Sequence, residues 1–420
     1  MFSDRIKEMK KIGLVHRMLK DKKIALYVTG GIAVYKVVDL MRTFIKNGAE
    51  VRVAMTESAT QFVSPLTFQI LSRQEVYIDT FTEKDPAHVA HVDISDWADI
   101  SVVAPATANT IAKIAHGIGD NFVTSALLAT ASPIFVVPAM NTDMYENEAT
   151  QTNITTLKNR GVYFMEPDTG FLAEGYEGKG RYPDNERVLE ELAHVLITND
   201  KELPLKGKKV LVSAGGTKER IDPVRYITND SSGKTGHAIA KQAYQYGADV
   251  TLVTASNLPA PKAIERVQVD SADEMFDAID ERFKGIDILI MSAAVSDYGV
   301  ADAASSKMKK QEGTDTLTIE LKENLDILKT MGQKKESQFL VGFAAETDHL
   351  EKYAQKKLAE KNLDIIVANE VGKEDTGFNS DDNQVVILTK DNERQEVPKT
   401  SKTKIAEILL DSVIKKLNLE

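Results

Sequence analysis

The sequence contains no cysteine and only one tryptophan among its 420 residues. The absence of cysteine excludes disulfide bonds and thiolate metal sites, and it is typical of cytoplasmic proteins. No apolar run is long enough to cross a membrane. Basic residues are also few, since 52 Lys and Arg stand against 63 Asp and Glu for a net charge of -11. The composition therefore predicts a cytoplasmic protein whose partners include neither nucleic acid nor a membrane.

The length fits two domains of about 200 residues each, because 420 residues exceed what one hydrophobic core usually organises. The segment 199–207 is polar and is interrupted by Pro204 and Gly207, which is typical of a linker. We therefore expect domains at 22–198 and 206–420. Residues 1–20 lack the continuous apolar core of a signal peptide and favour a surface helix. Met18 is an alternative start of the protein.

Short apolar runs alternate with helical patterns in both halves. This alternation predicts an α/β protein in which parallel sheets are covered by helices and ligands gather at the carboxyl ends of the strands. The segment 390–393 predicts a hairpin turn after the last apolar run. The predicted strands are 24–28, 51–55, 100–104, 134–137, 162–165, the apolar run that begins at Val210, 250–254, 286–292, 339–343, 364–368 and 385–389.

A glycine pair follows the first predicted strand of each half, at Gly30-Gly31 and Gly215-Gly216. Paired glycines let the backbone turn tightly and approach a ligand before a helix begins. Neither pair completes a GxGxxG fingerprint, and each alone is more typical of an ordinary strand-to-helix turn. Because the pattern recurs at the head of both halves, the sequence favours two ligand sites.

Two polar segments follow later strands of the first half, at 105–110 and 138–145. Small polar residues before a helix can bind a phosphate or a flat ring. The alternative is a simple helix cap at Thr107 or Asn109. Asn141 can likewise hydrogen-bond a substrate carboxylate or cap its own helix. Two such segments at one sheet edge favour a shared pocket.

These segments, with Gly30-Gly31, Pro138-Ala139-Met140-Asn141 and Met144, resemble the flavin-dependent cysteine decarboxylases. From about Lys22 onward, the chain resembles the bifunctional phosphopantothenoylcysteine decarboxylase/phosphopantothenate:cysteine ligases of coenzyme A biosynthesis. The resemblance implies an N-terminal flavodoxin-like domain that binds FMN and a C-terminal Rossmann-like ligase domain. It also implies flavin-dependent oxidation of a cysteine thiol, loss of the adjacent carboxylate, and re-reduction of the resulting enethiolate.

The resemblance assigns roles to residues of the first half. His91 matches the family's active-site histidine, although a lone histidine beside an apolar run is more often structural. Asn141 matches the asparagine that binds the substrate carboxylate. The positions that fall in flavin-contacting segments are Gly30, Gly31, Thr56, Ala106, Thr107 and Asn109.

The segment 170–181 matches the family's substrate-covering flap, and its clustered glycines favour a mobile lid. Glu174 stands where the bifunctional enzymes commonly carry the cysteine that is assigned as proton donor. A carboxylic acid can donate a proton when a desolvated site raises its pKa. We therefore interpret Glu174 as a substitute donor, with a solvated flap residue as the alternative.

In the second half, Gly233-Lys234-Thr235 is not a Walker A motif, because Thr228 stands where its first glycine is required. A glycine-rich anion loop remains consistent with the segment. The resemblance implies that Asn229 stabilises an acyl-nucleotide and that Lys307 takes part in ligation, although a lysine cluster such as 307–310 is more often a solvated face. The implied substrate- and CTP-binding positions are Met291, Ser292, Ala293, Asp297, Lys307, Lys322, Glu323, Asn324, Leu325, Phe343, Lys357 and Lys361.

The implied ligase reaction activates 4'-phosphopantothenate with CTP, and with Mg²⁺ on the phosphates, as an acyl-cytidylate. The amine of cysteine then displaces CMP. Because the ligase product is the decarboxylase substrate, the resemblance explains why one chain carries both domains. It further implies homo-oligomers, with trimers of the first domain and dimers of the second. Two other classes remain open at this point: a flavin or nicotinamide reductase, and a non-catalytic regulatory flavoprotein.

Overall fold

The computed structural model describes residues 18–82, 88–309, 317–346, 350–370 and 381–419. The chain forms two compact units, Met1–Asn199 and Asp200–Glu420. Most of the surface helix predicted over 1–20 lies outside the described residues, and within them Met18 and Leu19 are buried. Both units are α/β, as predicted from the alternation of apolar runs.

The first unit is built on a parallel sheet of six strands plus a separate hairpin. Its strands are β1 (Lys23–Val28), β2 (Glu50–Met55), β3 (Val76–Tyr77), β4 (Ile100–Ala106), β5 (Ile134–Pro138), β6 (Tyr163–Phe164), β7 (Asp168–Phe171) and β8 (Glu177–Arg181). The sheet order is β3-β2-β1-β4-β5-β6, and β7 pairs with β8. The order reverses between β1 and β4, which opens a crevice at the carboxyl ends of these two strands.

Nine helices of the first unit are described. They are α1 (Val34–Lys46), α2 (Glu57–Thr60), α3 (Pro65–Ser72), α4 (Ala90–Trp97), α5 (Ala108–His116), α6 (Phe122–Ala129), α7 (Thr142–Glu146), α8 (Glu148–Asn159) and α9 (Asn185–Asn199). Helix α1 shows why these segments are helical, since Val34, Val37, Leu40, Met41 and Phe44 recur on one face and are all buried.

The second unit contains an eight-stranded sheet and two small ribbons. Its strands are β9 (Lys209–Ala214), β10 (Lys218–Arg220), β11 (Tyr226–Thr228), β12 (Asp249–Thr254), β13 (Glu265–Gln268), β14 (Ile288–Met291), β15 (Tyr298–Val300), β16 (Leu321–Glu323), β17 (Phe339–Glu346), β18 (Ile365–Glu370), β19 (Asp382–Thr389) and β20 (Arg394–Ser401). The large sheet has the order β13-β12-β9-β14-β17-β18-β19-β20, and the ribbons are β10-β11 and β15-β16. The order of the large sheet reverses between β9 and β14.

Five helices of the second unit are described: α10 (Lys234–Gln245), α11 (Ala272–Phe283), α12 (Ile327–Lys334), α13 (Leu350–Glu360) and α14 (Lys402–Lys416). Successive side chains of β9 pack into two different hydrophobic cores, one on each face of the sheet. Val210 and Val212 pack in a cluster with residues of α14, whereas Leu211 packs with residues of α11. The central strand is therefore buried on both faces, which explains its continuous apolar sequence.

The far edge of the second sheet departs from the all-parallel prediction. Strands β18, β19 and β20 pair antiparallel. The predicted hairpin turn at 390–393 is confirmed, since the amide of Thr389 donates to the carbonyl of Glu393 at 3.1 Å. A turn this short cannot carry the crossover that parallel strands require, so β20 must run antiparallel to β19.

The predicted linker is packed at its C-terminal end. Leu205 is fully buried in the core of the second unit, and its amide donates to the carbonyl of Tyr246 at 2.8 Å. Residues 203–206 thus belong structurally with the second unit.

Candidate active sites

Thr29 joins the two strands that flank the crevice of the first unit. Its buried Oγ1 donates to the carbonyl of Pro105 at 2.6 Å and accepts from the amide of Thr107 at 3.0 Å. Thr107 in turn caps α5, because its Oγ1 accepts from the amide of Thr110 at 3.3 Å. The cap predicted as an alternative is therefore present, while Asn109 is exposed in the first turn.

The Gly30-Gly31 turn lies between the starts of α2 and α5. A Cβ on Gly30 would collide with Ser58, whereas a Cβ on Gly31 would meet only the Cγ2 of Thr107, at 3.7 Å. Thr56 caps α2 by accepting from the amide of Ala59 at 3.3 Å. The three segments predicted to contact flavin thus meet at one sheet edge, with an open backbone surface at Gly31.

Asn141 connects this edge to the flap. Its Oδ1 accepts from the amide of Asp143 at 2.8 Å and caps α7. Its Nδ2 donates to the Oη of Tyr176 at 2.7 Å and to the Oε1 of Glu174 at 3.3 Å. The two predictions for Asn141 are therefore compatible, because the cap uses only the oxygen. The structure also brings together two residues predicted to act on the same substrate.

The flap is a β-hairpin whose base is held firmly. The amide of Met140 donates to the carbonyl of Gly180 at 3.0 Å, and a Cβ on Gly180 would collide with the carbonyl oxygen of Met140. At the other end, Glu174 is exposed and a Cβ on Gly175 would meet nothing within 4 Å. The base is thus fixed to the sheet edge, while the tip lies in solvent.

A second contact secures the hairpin through Glu166. Its carboxylate receives a hydrogen bond from the Oη of Tyr145 at 3.2 Å and an ion pair from the Nζ of Lys179 at 3.1 Å. Burial and the neighbouring carboxylate raise the pKa of Tyr145 to about 12. Tyr145 therefore stays protonated and donates throughout the physiological pH range.

His91 lies on α4 with its ring edge-on to Phe122, at a centroid distance of 6.3 Å. Its Nδ1 is buried and has no hydrogen-bond partner within the described residues. No hydrogen bond between described residues joins it to Asn141 or Glu174. The structure thus leaves a buried ring nitrogen available, and it does not by itself assemble all three predicted decarboxylase residues.

In the second unit, Asn229 is bound to the loop that follows β14. Its Nδ2 donates to the carbonyls of Ala294 at 3.3 Å and Val295 at 3.1 Å. Gly216 forms a bridge with Ala294, and a Cβ on Gly216 would collide with the carbonyl oxygen of Asn229. The Gly215-Gly216 turn therefore brings the two loops of the switch point into direct contact.

A cavity of about 270 Å³ opens beside this contact. Of the predicted positions, Asn229, Ser292, Ala293, Asp297 and Phe343 line it. The anion loop inferred around Gly233 also contributes four lining residues, Gly233, Lys234, Thr235 and Gly236. Further lining residues that sequence reasoning missed are Ser231, Ala294, Val295, Ala344, Asn369, Asn383, Val385, Lys402 and Ile405.

Asn369 and Lys402 are the most informative of the missed residues. Both are buried, and the Oδ1 of Asn369 has no hydrogen-bond partner within the described residues. Asn369 comes from the end of β18, which pairs parallel with β17, and Lys402 comes from the start of α14, which follows the antiparallel strand β20. No local sequence motif marks them.

The other predicted ligase positions lie outside the cavity lining. Met291 is buried at the end of β14, and Lys307 is exposed. The amide nitrogen of the Asn324 side chain donates to the carbonyl of Ser296 at 2.9 Å. The remaining positions are exposed on or just after β16, or lie on or just after α13: Lys322, Glu323, Leu325, Lys357 and Lys361.

Lys361 is held by Asp326, which caps α12. The Nζ of Lys361 lies 2.8 Å from the Oδ2 of Asp326. Burial acts to raise the pKa of Asp326, but the hydrogen bond from Lys361 and the cap of α12 outweigh it and lower this pKa. The pair is therefore ionised at neutral pH.

Among the described residues, no group of three or more His, Asp or Glu side chains is arranged to hold a metal ion. None of the helices in the described ranges has the length and apolarity needed to span a membrane.

Two family models match the two halves of the chain. The Flavoprotein model matches residues 13–197, and the model of the DNA/pantothenate metabolism flavoprotein C-terminal domain matches residues 205–417. The coenzyme A biosynthesis bifunctional protein CoaBC of Bacillus subtilis is 48% identical over 398 residues, covering 94% of this chain and 97% of the relative.

The CoaBC protein of Escherichia coli K12 is 42% identical over 400 residues, covering 94% of this chain and 97% of that one. Among solved structures, the C-terminal domain of a CoaBC protein is 40% identical and covers 52% of this chain and all of the other, with a TM-score of 0.45. The resemblance found in the motifs is thus confirmed over nearly the whole chain. The chain belongs to the CoaBC family of bifunctional coenzyme A biosynthesis proteins, and it combines a phosphopantothenoylcysteine decarboxylase with a phosphopantothenate–cysteine ligase.

Proposed function

We propose that the first unit binds FMN where β1, β4 and β5 end, and that Gly30, Gly31, Thr56, Ala106, Thr107 and Asn109 form the site. The bare backbone of Gly31 beside Thr107 fits a flat or phosphorylated group, because no side chain fills that space. The match to the Flavoprotein model supports a flavin. When bound, FMN supplies the two-electron oxidation of the substrate thiol and the return of those electrons after carbon dioxide is lost.

The observation that carries the decarboxylase assignment is the hydrogen bond from Asn141 to Glu174. The Nδ2 of Asn141 donates to a carboxylate oxygen at 3.3 Å. The carboxylate of phosphopantothenoylcysteine is the same chemical group, so it replaces Glu174 when substrate binds and the flap tip moves. Asn141 then orients the carboxylate that leaves as carbon dioxide.

His91 and Glu174 handle protons in this scheme. The Nδ1 of His91 is buried and has no partner among the described residues, so a substrate thiol can hydrogen-bond to it, which would position the sulfur and allow transfer of its proton. Glu174 returns a proton to the enethiolate once the flap covers the substrate.

For the second unit, we propose that the 270 Å³ cavity binds CTP. Helix α10 begins at this cavity, since its N-cap Gly233 lines the cavity and supplies no side-chain cap, and the amides of a helix N-terminus bind phosphate oxygens. Asn229, Asp297 and Phe343 line this cavity and are assigned to the nucleotide and the acyl-cytidylate. The lysines at 307, 322, 357 and 361 are assigned to the charge of the triphosphate and of the reacting carboxylate.

The ligase reaction then proceeds in two displacements. An oxygen of the 4'-phosphopantothenate carboxylate attacks the α-phosphorus of CTP and expels pyrophosphate. The amine of cysteine attacks the acyl carbon and expels CMP. Asn229 and Lys307 stabilise the negative charge of these two transition states.

Mg²⁺ is expected with CTP rather than in a site formed by the protein. Magnesium commonly binds substrate phosphates together with only one or two carboxylates. The described residues contain no larger acidic cluster that would hold it alone. Asp297 lines the cavity and is the carboxylate that we assign to Mg²⁺ together with the phosphates of CTP.

We further propose that the protein is a cytoplasmic homo-oligomer, with trimers of the first unit and dimers of the second, and with domains at 22–198 and 206–420. Large exposed apolar side chains support self-association in each unit. In the first unit, five of them lie on or near α1 to α3: Ile32, Tyr35, Phe62, Leu66 and Ile70. In the second unit they lie on or near the ribbons: Val224, Tyr226, Tyr298, Leu321 and Leu325.

The proposal is tested with the purified full-length protein. We expect a flavin absorbance spectrum that NADH and NADPH do not bleach, and carbon dioxide release from phosphopantothenoylcysteine. Bleaching by a nicotinamide would support a reductase, and a flavin spectrum without carbon dioxide release would support a regulatory flavoprotein. Ligation assayed with CTP, ATP, GTP and UTP in turn tests the nucleotide, and exclusive use of ATP would overturn the assignment to CTP.

A further inference from the structure

Asp222 is the most heavily hydrogen-bonded buried carboxylate among the described residues, and the reaction scheme above does not use it. It is 1% exposed. Its Oδ1 accepts from the amides of Val224 and Arg225, both at 2.8 Å. Its Oδ2 accepts from the Nε of Arg225 at 2.9 Å and from the amide of Met308 at 3.1 Å. A buried charge with this many donors is stabilised only while every donor stays in place.

The last of these bonds joins segments that are 86 residues apart in the chain. Met308 directly follows Lys307, so the bond fixes the main chain next to the lysine assigned to ligation. Arg225 adds a second link, since its Nη2 donates to the carbonyl of Met308 at 2.8 Å. A third link runs from the amide of Ala304 to the carbonyl of Ile221 at 2.9 Å.

The same carboxylate also organises the approach to Asn229. Asp222 closes the turn 222–225, which leads directly into β11 (Tyr226–Thr228), and Asn229 follows this strand. One side chain therefore anchors two loops, one carrying each residue assigned to the charge of the transition state. Hydrogen bonds from Arg225 also lower the pKa of Asp222 far below its usual range, so the anchor is ionised at any pH at which the enzyme works.

We propose that Asp222 is a positioning residue of the ligase, which acts by clamping the Lys307 segment to the turn before Asn229. The inference rests on the proposed role of Lys307. An amide at position 222 keeps the size of the side chain, but it places an N–H₂ group against N–H donors. Asp222→Asn should therefore release the Lys307 segment and leave the rest of the fold intact.

The test compares D222N, K307Q and the double variant in the full-length protein. We expect D222N to lower the kcat of ligation roughly 100-fold, the scale of a misplacement of about 1 Å, with a KM for CTP within about 3-fold of wild type. The double variant should lose less activity than the two single losses combined, because both changes act on the Lys307 segment. Decarboxylation of supplied phosphopantothenoylcysteine, measured in the same samples, should not change.

The matched control is D270N. Asp270 also pairs with two cations of the same unit, Lys218 and Arg220, but none of its described bonds reaches the Lys307 segment. We expect ligation by D270N within about 3-fold of wild type. A wild-type rate for D222N together with an impaired K307Q would overturn the inference alone, as would additive losses in the double variant. A wild-type rate for K307Q would instead overturn the proposed role of Lys307.

Hydrogen exchange of the unmodified enzyme provides a second measurement that does not depend on folding of a variant. The amides of Val224, Arg225 and Met308 should exchange slowly, because each donates to a carboxylate that is almost completely buried. Exchange of the Met308 amide at the rate of an exposed loop would contradict the clamp.

Discussion

The side-chain nitrogen of Asn141 lies 3.3 Å from a carboxylate oxygen of Glu174, although one residue caps a helix at the sheet edge and the other lies at the tip of the flap. The exposed flap tip therefore reaches the end of β5 through this hydrogen bond. This contact brings the position that departs from the family's cysteine into the proposed decarboxylase site.

The first prediction concerns Glu174. In a single anaerobic turnover, Glu174→Gln should release carbon dioxide normally but yield the unreduced enethiol, because the amide cannot supply the proton needed for reduction. Glu174→Cys should remain active. Mass spectrometry of the products, with carbon dioxide measured in parallel, checks both outcomes.

Glu177→Gln is the matched control for this change, since Glu177 is an exposed acid on the same hairpin. It should form the fully reduced product at the wild-type rate. A normal yield of reduced phosphopantetheine from Glu174→Gln would show that Glu174 is not the proton donor.

The second prediction separates the two activities. His91→Asn and Asn141→Asp should each lower carbon dioxide release by at least about 100-fold, through loss of proton transfer or repulsion of the substrate carboxylate. CTP-dependent ligation by the same proteins should stay at the wild-type level. Asn147→Asp is the control for Asn141, because Asn147 caps α8 in the same way, and near wild-type release from both site variants would refute the site.

The third prediction concerns ligation. Asn229→Asp adds negative charge beside an anionic intermediate, and Lys307→Gln removes positive charge from the same chemistry. Each should lower the rate of ligation about 100-fold or more, the usual effect of losing one such interaction. Lys309→Gln, two residues away and also exposed, should be nearly silent, and an equal loss in that variant would point to a general charge effect.

The fourth prediction uses the pH dependence of stability at Asp364. This buried carboxylate accepts hydrogen bonds from the Nζ atoms of Lys335 at 2.6 Å and Lys390 at 2.7 Å. Burial acts to raise its pKa, but these lysines outweigh burial and lower it. Asp364→Asn should lower the free energy of unfolding at pH 7 by about 3 kcal/mol, because it removes the negative charge that faces the largely buried Lys335 and the exposed Lys390.

The sign of the pH effect follows from the lowered pKa. The stabilisation is complete above the ordinary Asp pKa of about 3.9 and is lost as the pH falls through the lower pKa of the folded state. The difference between wild type and Asp364→Asn should therefore shrink below about pH 4 in urea titrations. Asp391→Asn, at an exposed ion pair, should cost less than about 1 kcal/mol, and a constant difference at all pH values for Asp364→Asn would contradict the assignment.

The long buried strands were predictable because each is a continuous apolar run, such as Ile100–Ala106, which is buried at every position. Short or exposed strands gave no such signal. The flap strand Glu177–Arg181 contains two glycines and three charged residues, and its pairing depends on contacts with residues 168–171 and 140. Whether such segments form strands depends on tertiary contacts rather than on local strand propensity.

The same distinction applies to the sites. Residues that directly follow a central strand, such as Ser292 and Ala293, lie in the cavity as expected from the switch-point rule. Asn369 obeys the same rule, since it directly follows the predicted strand 364–368 and β18 is parallel to β17. Lys402 could not be found in this way, because it starts a helix after the antiparallel strand β20, and the sequence does not reveal that this helix start returns to the pocket. Lys361 was named from the sequence, but its ion pair with Asp326 could not be predicted, because the two residues are far apart in the chain.

The base and the tip of the flap hairpin differ in how they tolerate amino-acid substitutions. At Gly180, φ is +135° and any side chain would strike the carbonyl of Met140, so mutations there remove the anchor of the flap. Around Gly175 no atom lies within 4 Å of an added Cβ, and the neighbouring tip residues 173, 174, 176 and 177 are exposed, so their side chains are not held by packing. The flap therefore combines an anchor that tolerates no side chain with a tip whose side chains lie in solvent.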